Sequence, residues 1–167
     1  MRNYFWAILF LSLLAAACSG IADLRPGESG VEDVQRAMGV PALRWQDADG
    51  STHLAYPRGP EGFTTLLVHF DSGGRLRSTE DVLDAKHFAA IKPGMDKAGV
   101  LHLLGPSPPE RTIYFDARDE LVWEWRYCDD WHAAARFDVL FDGTRGTVRS
   151  TMSIRENCGL GHCWCAQ

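Results

Sequence analysis

Apolar positions recur at helical spacing twice along this chain. Val31, Val34 and Met38 form one stripe, and Val100, Leu101 and Leu104 form another, the spacing that buries one face of an amphipathic helix. Gly39-Val40-Pro41 and Gly105-Pro106 end these stripes, because glycine takes the left-handed conformation that closes a helix and proline cannot continue one. Ser29-Gly30-Val31-Glu32 reads as a capping box for the first helix, and Asp96 as the cap of the second. Pro26-Gly27 and Pro93-Gly94 are turns ahead of them. Before each turn stand Ile21/Leu24 or Phe88/Ile91, one helical turn apart, so a short helix is expected there in each half.

Period-two segments follow each helical region. In the first half, strands are expected over 42–45, 52–56, 64–70 and 75–82, separated by Asp47-Ala48-Asp49-Gly50 and Asp71-Ser72-Gly73-Gly74. In the second half they are expected over 111–115, 121–127, 135–141 and 147–154, with Asp142-Gly143 at the last turn. The halves also match as an internal repeat. Ile21-Ala22-Asp23-Leu24-Arg25-Pro26-Gly27 lies over Phe88-Ala89-Ala90-Ile91-Lys92-Pro93-Gly94, and Phe70-Asp71 lies over Phe141-Asp142, at a spacing of about 70 residues. The expected fold is α+β: two tandem units, each with two short helices packed on a 3–4-stranded antiparallel sheet. The expected division is a signal peptide over 1–17, a first unit over 18–84, a second unit over 85–155 and a Cys-rich tail over 156–167.

The N-terminus has the order of an export signal: Arg2, an apolar run from Tyr4 to Leu14, small residues Ala15 to Ala17, then Cys18. The apolar run is shorter than the about 20 residues a membrane span needs. Leu14-Ala15-Ala16-Ala17-Cys18 resembles the bacterial lipobox, with Ala15 where the pattern usually has Leu or Val. That resemblance implies lipid attachment at Cys18 and anchorage in a bilayer, and Ser19 after the cysteine implies delivery to the outer membrane.

Composition narrows the function. The 167 residues carry a formal net charge of −5 and only three lysines, Lys86, Lys92 and Lys97, which argues against a nucleic-acid partner. The six histidines (His53, His69, His87, His102, His132 and His162) show no HExxH spacing, and the chain has no GxSxG, P-loop or GxGxxG pattern. Neither catalytic residues, a cofactor nor a small-molecule substrate is expected, and the protein is read as a non-enzyme. Asp129-Asp130 beside Trp131-His132 is read as an exposed turn rather than a catalytic cluster. His69, alternating with Val68 and Phe70, is read as facing solvent or packing rather than binding metal. Besides Cys18, the cysteines are Cys128, Cys158, Cys163 and Cys165, an even number that suggests two disulfides in an exported chain. Cys128 paired with Cys158 is preferred, leaving Cys163 and Cys165 with each other or free. A metal site from Cys158, His162, Cys163 and Cys165 is the competing reading, and the Cys-x-Cys spacing speaks against it. Trp123, Trp125 and Tyr127 share one strand face, either the core face under the helices or, since Trp and Tyr are common binding anchors, a partner-binding face.

The pattern Ile91-Lys92-Pro93-Gly94-Met95, Val100-x-x-x-Leu104-Gly105-Pro106, Trp123-Glu124-Trp125-Arg126-Tyr127 and Phe141-Asp142 resembles the SmpA/OmlA (BamE-like) outer-membrane lipoprotein family. The resemblance is stronger in the second half than in the first. It implies a periplasm-facing, lipid-anchored accessory of β-barrel outer-membrane protein assembly, with a non-catalytic role in envelope assembly or integrity and outer-membrane assembly proteins as partners. Family members usually carry one unit, and the doubling here is similar to tandem β-lactamase inhibitor proteins. The alternative is therefore an inhibitor-like or sensor binding module unconnected with barrel assembly.

Overall fold

The computed structural model describes residues 23–159 and 161–165. Cys18 and the expected signal segment lie outside the described residues, as do Ile21 and Ala22. The chain runs α1 (Val31–Met38), β1 (Leu43–Gln46), β2 (Thr52–Pro57), β3 (Thr65–Phe70), β4 (Leu76–Asp81), α2 (Ala85–Ala90), α3 (Lys97–Leu104), β5 (Thr112–Phe115), β6 (Glu120–Cys128), β7 (Ala134–Asp142), β8 (Val148–Arg155), β9 (Asn157–Cys158) and β10 (Gly161–His162). Strands β1 to β4 form one antiparallel meander, β5 to β8 a second, and β9 with β10 a small hairpin.

This corrects the expected fold of two units with two helices each. The described residues are dominated by two four-stranded sheets, with only three short helices. Among the described residues the first half carries α1 as its one α-helix. The second helix expected in this half, around Ile21 and Leu24, falls partly outside the described residues; the turn expected at Pro26-Gly27 is present, with Gly27 at φ 80°, the Gly27 N–H donating to Leu76 O at 2.8 Å and the Leu76 N–H to Ser29 O at 2.8 Å. The same two contacts recur in the second half, from Gly94 N to Val148 O and from Val148 N to Met95 O, each at 2.8 Å.

The caps divide likewise. Asp96 caps α3 by accepting the Gly99 N–H at 2.7 Å. For α1 the cap is Gly30, whose N–H is taken by the Asp33 carboxylate at 2.9 Å, while Ser29 Oγ accepts from Arg25 N instead. The expected Ser29–Glu32 box is thus replaced by a Gly30–Asp33 pair one residue later.

The first sheet is covered on both faces. Leu54, Tyr56, Val68, Phe70 and Leu76 enclose Val34 of α1 on one side. On the other lie Ala55, Leu67 and Val82 with Leu43 and Trp45. The end of α3 reaches that second side, where a Cβ on Gly105 would meet Thr65 Cγ2 at 2.9 Å and Ala55 Cβ at 3.3 Å. The larger core lies between α2, α3 and one face of the second sheet, joining Phe88, Ile91, Val100 and Leu104 to Trp125, Phe137, Val139 and Phe141. Phe88 stacks on Phe137 at 3.9 Å and meets Tyr127 edge-on at 4.7 Å.

Candidate functional site

Strict alternation along β6 and β7 sends two residue sets to opposite faces. Leu121, Trp123, Trp125 and Tyr127 on β6 join Phe137, Val139 and Phe141 of β7 in or against the helix-covered core. Trp125 is 1% exposed. Trp123, Trp125 and Tyr127 therefore occupy the core face under the helices, not a partner-binding face.

The outer face carries the intervening residues. In register across the strands, Ile113 faces Val122, Val122 faces Leu140, Glu124 faces Asp138, Arg126 faces Arg136, Asp138 faces Met152 and Arg136 faces Ile154. The outer strands supply exposed apolar side chains: Ile113 at 51%, Phe115 at 39%, Met152 at 45% and Ile154 at 38%. The central strands supply charge. Glu124 accepts a short hydrogen bond from Arg111 and a second from Arg136 Nη1 at 3.2 Å. Arg126 clasps Glu156 through Nε and Nη2 at 2.8 and 2.7 Å. The β2–β3 loop of the first half closes one margin: Arg126 Nη1 donates to Glu61 at 2.8 Å, Arg111 Nε to Pro60 O at 2.9 Å, and the Arg126 guanidinium lies 4.5 Å from the Phe63 ring centroid. A cavity of about 410 Å³ opens between this loop and the sheet, lined by Pro60, Glu61, Arg111, Ile113, Val122 and Glu124 among others.

Asp138 departs from this pattern of paired charges. It is 7% exposed, and its Oδ1 has no hydrogen-bond partner. Burial, reinforced by the neighbouring Glu124 carboxylate, pushes its pKa up to about 6. A carboxyl whose pKa rises on folding holds its proton more tightly in the folded state. Its favourable contribution is present below the unfolded value and is lost as pH rises through about 6. Asp138→Asn, which is neutral at every pH, is expected to stabilise the fold by about 1–3 kcal/mol near neutral pH and to change little near pH 4. Urea unfolding of both proteins across this range measures it.

Asp129 serves the β6–β7 turn. Its Oδ1 accepts the N–H groups of Trp131 and Ala133, each at 2.9 Å, and its Oδ2 pairs with Arg155 at 2.6 Å. The cysteines pair as Cys128–Cys165 and Cys158–Cys163, with Cα separations of 6.0 and 5.1 Å. This corrects the preferred Cys128–Cys158 pairing. The tail doubles back as the β9–β10 hairpin, in which Gly161 faces Cys158; Cys163 follows two residues on and bonds back to Cys158, and Cys165 reaches Cys128 at the end of β6. Among the described residues, no group of three or more His, Cys, Asp or Glu side chains is placed to hold a metal ion. His69 lies against His53 and Glu80, a meeting that the alternation of one strand could not reveal.

The outer face presents ion-paired side chains and apolar ones. Such a surface can recognise a partner by shape, apolar contact and arginine hydrogen bonding. No family model and no curated protein matches the chain. A crystal structure from Streptococcus mutans, described as that of a candidate beta-lactamase inhibitor protein, is similar at 12% sequence identity, covering 75% of this chain and 82% of that one with a TM-score of 0.33.

Proposed function

We propose that this chain is a non-catalytic protein-binding module, exported and anchored through acylated Cys18 to the outer membrane, facing the periplasm. In this proposal it grips an outer-membrane assembly protein with the open face of the β5–β8 sheet. One observation carries the binding part of the proposal: the sheet is roofed by helices on one face only, and its other face sets four exposed apolar side chains around a core of arginine–glutamate pairs. Arginines flanked by exposed apolar and aromatic side chains are the composition that binding interfaces favour. Internal pairing of Glu124 and Glu156 with arginines lowers the cost of covering those charges, because neither partner is stranded on desolvation. Export, lipid anchorage and the assembly role follow from the lipobox and from the resemblance to the SmpA/OmlA family.

The test places a photo-crosslinking residue at Ile113 or Met152 of the full, exported chain. The expected result is one defined adduct with a barrel-assembly protein from the membrane fraction. Ile154→Asp is expected to weaken that adduct about tenfold or more without lowering the melting temperature, and Cys18→Ala to abolish it by releasing the chain from the membrane. An adduct with a soluble periplasmic enzyme instead would replace the assembly role by an inhibitory or sensing one. No adduct from either position would end the proposal for this face.

A further inference from the structure

The covered side of the first sheet holds a chain of titratable groups that the open face does not use. His53 on β2 and His69 on β3 are directly paired in register, and their Nδ1 atoms approach to 2.7 Å. Each ring turns its other nitrogen to a carboxylate. His53 Nε2 is 2.9 Å from Asp47 Oδ2 in the β1–β2 turn, and His69 Nε2 is 3.1 Å from Glu80 Oε1 on β4. The surrounding charges are Asp49 beside His53, Arg77 beside His69, and, beyond Glu80, Lys86 at 3.9 Å and His87 at 3.5 Å, with His87 held in turn by Asp84. Ser51 Oγ lies 3.4 Å from His53 Nε2.

Counting protons along this chain gives a definite answer. An ionised carboxylate only accepts, so each Nε2 must carry hydrogen. Two ring nitrogens 2.7 Å apart can be joined only by one hydrogen between them. Two lone pairs repel at that distance, and two N–H groups collide. The four nitrogens therefore hold three protons, whereas two neutral imidazoles hold two.

The extra charge sits at a seam. Trp45 stacks on His53 at 5.0 Å and on His102 of α3 at 4.6 Å. An imidazolium over an indole face gains a cation–π attraction that the neutral ring lacks. We propose that His53 and His69 share one excess proton, and that this proton fastens the first sheet to α3 through Trp45. Loss of the proton at higher pH leaves two lone pairs facing, so a ring must turn and the Trp45 stack loosens. Gain of a second proton at lower pH sets two N–H groups head to head and breaks the pair from the other side. Burial of His69, with the charge of His53, opposes that second proton.

The sign of the pH dependence is fixed by this count. Above the ordinary histidine range the folded pair holds one proton more than two unfolded imidazoles, so its stabilisation falls as pH rises. Below that range it holds one fewer than two unfolded imidazolium ions, so stability falls as pH drops. The pair alone thus gives a maximum between two titration steps.

The test uses the full chain labelled with 5-fluorotryptophan and with ¹⁵N-histidine. The His102→Phe background keeps an aromatic ring on Trp45 and removes that histidine's own titration. The expected result is three N–H protons on the His53 and His69 rings between the steps, with the Trp45 fluorine resonance moving at both steps. In His69→Gln the high-pH movement of Trp45 is expected to vanish. Two neutral rings at neutral pH, each titrating in one step that is unaltered when the other histidine is replaced, would overturn the shared proton. A Trp45 resonance that ignores both steps would overturn the fastening.

Discussion

Trp125→Ala is expected to cost about 3–5 kcal/mol. Trp125 is 1% exposed and touches the cluster that joins α2 and α3 to β6 and β7. Its removal opens a cavity where both helices rest on the sheet, and their short length leaves little to collapse into it. Its indole Nε1–H has no hydrogen-bond partner, so part of the burial gain is already offset by an unmatched polar group. Trp125→Phe, which deletes that N–H together with one ring, is therefore expected to cost clearly less than the alanine change. Trp131→Ala and Trp164→Ala, at 73% and 70% exposure, should stay within about 0.5 kcal/mol of the parent. Denaturant midpoints of the four variants provide the ranking. A Trp125→Ala protein as stable as the Trp131→Ala protein would remove the β6 face from the core.

Period-two patterning carried most of the architecture. The expected strand over 121–127 lies inside observed Glu120–Cys128, and that over 135–141 inside Ala134–Asp142, because one buried face forces alternation on every residue pair. The two helical stripes also reappear as Val31–Met38 and Lys97–Leu104. What the structure overturns is a pair of helices on each sheet: the described residues hold three short helices against two four-stranded sheets. In the second half Phe88 and Ile91 are buried against the second sheet, whereas Ile21, the counterpart of Phe88, lies outside the described residues. A repeated apolar spacing is a local signal, and whether it becomes helix is decided by which surface is present to cover it.

The site was less legible for a related reason. Alternation assigns Trp123, Trp125 and Tyr127 to one face and Glu124 and Arg126 to the other, but it does not say which face the helices take. Of the two readings of the aromatic set the structure takes the core one, and it gives the open side to Val122, Glu124, Arg126, Arg136 and Asp138. The signal lay in β5 and β8, where Ile113, Met152 and Ile154 stand among polar neighbours on strands that are exposed nearly throughout. The histidine pair was out of reach, since His53 and His69 meet only through the β2–β3 register.

The two disulfides are expected to differ in what their removal costs. Cys128–Cys165 closes a loop with a sequence separation of 37, and Cys158–Cys163 one with a separation of 5. By the chain-entropy estimate the first constrains the unfolded chain by about 4 kcal/mol and the second by about 2 kcal/mol. Part of the larger effect falls on the open face. The tail held by Cys165 donates backbone N–H groups to Glu156 O and His132 O, and the Ala134 N–H returns to Cys163 O at 2.6 Å. Glu156, at the start of the same tail, takes the bidentate hydrogen bond of Arg126. Releasing Cys165 therefore loosens the partner of a charge that is only 13% exposed. The double change Cys128→Ser with Cys165→Ser should lower stability by about 4 kcal/mol and weaken crosslinking from Met152. The double change Cys158→Ser with Cys163→Ser should cost about half as much and leave the Arg126–Glu156 contact in place. Peptide mapping of the unreduced protein must first show residue 128 joined to residue 165. A larger loss from the short loop than from the long one would contradict the order, because it would place the tail's stabilising role in the hairpin rather than in its tie to β6.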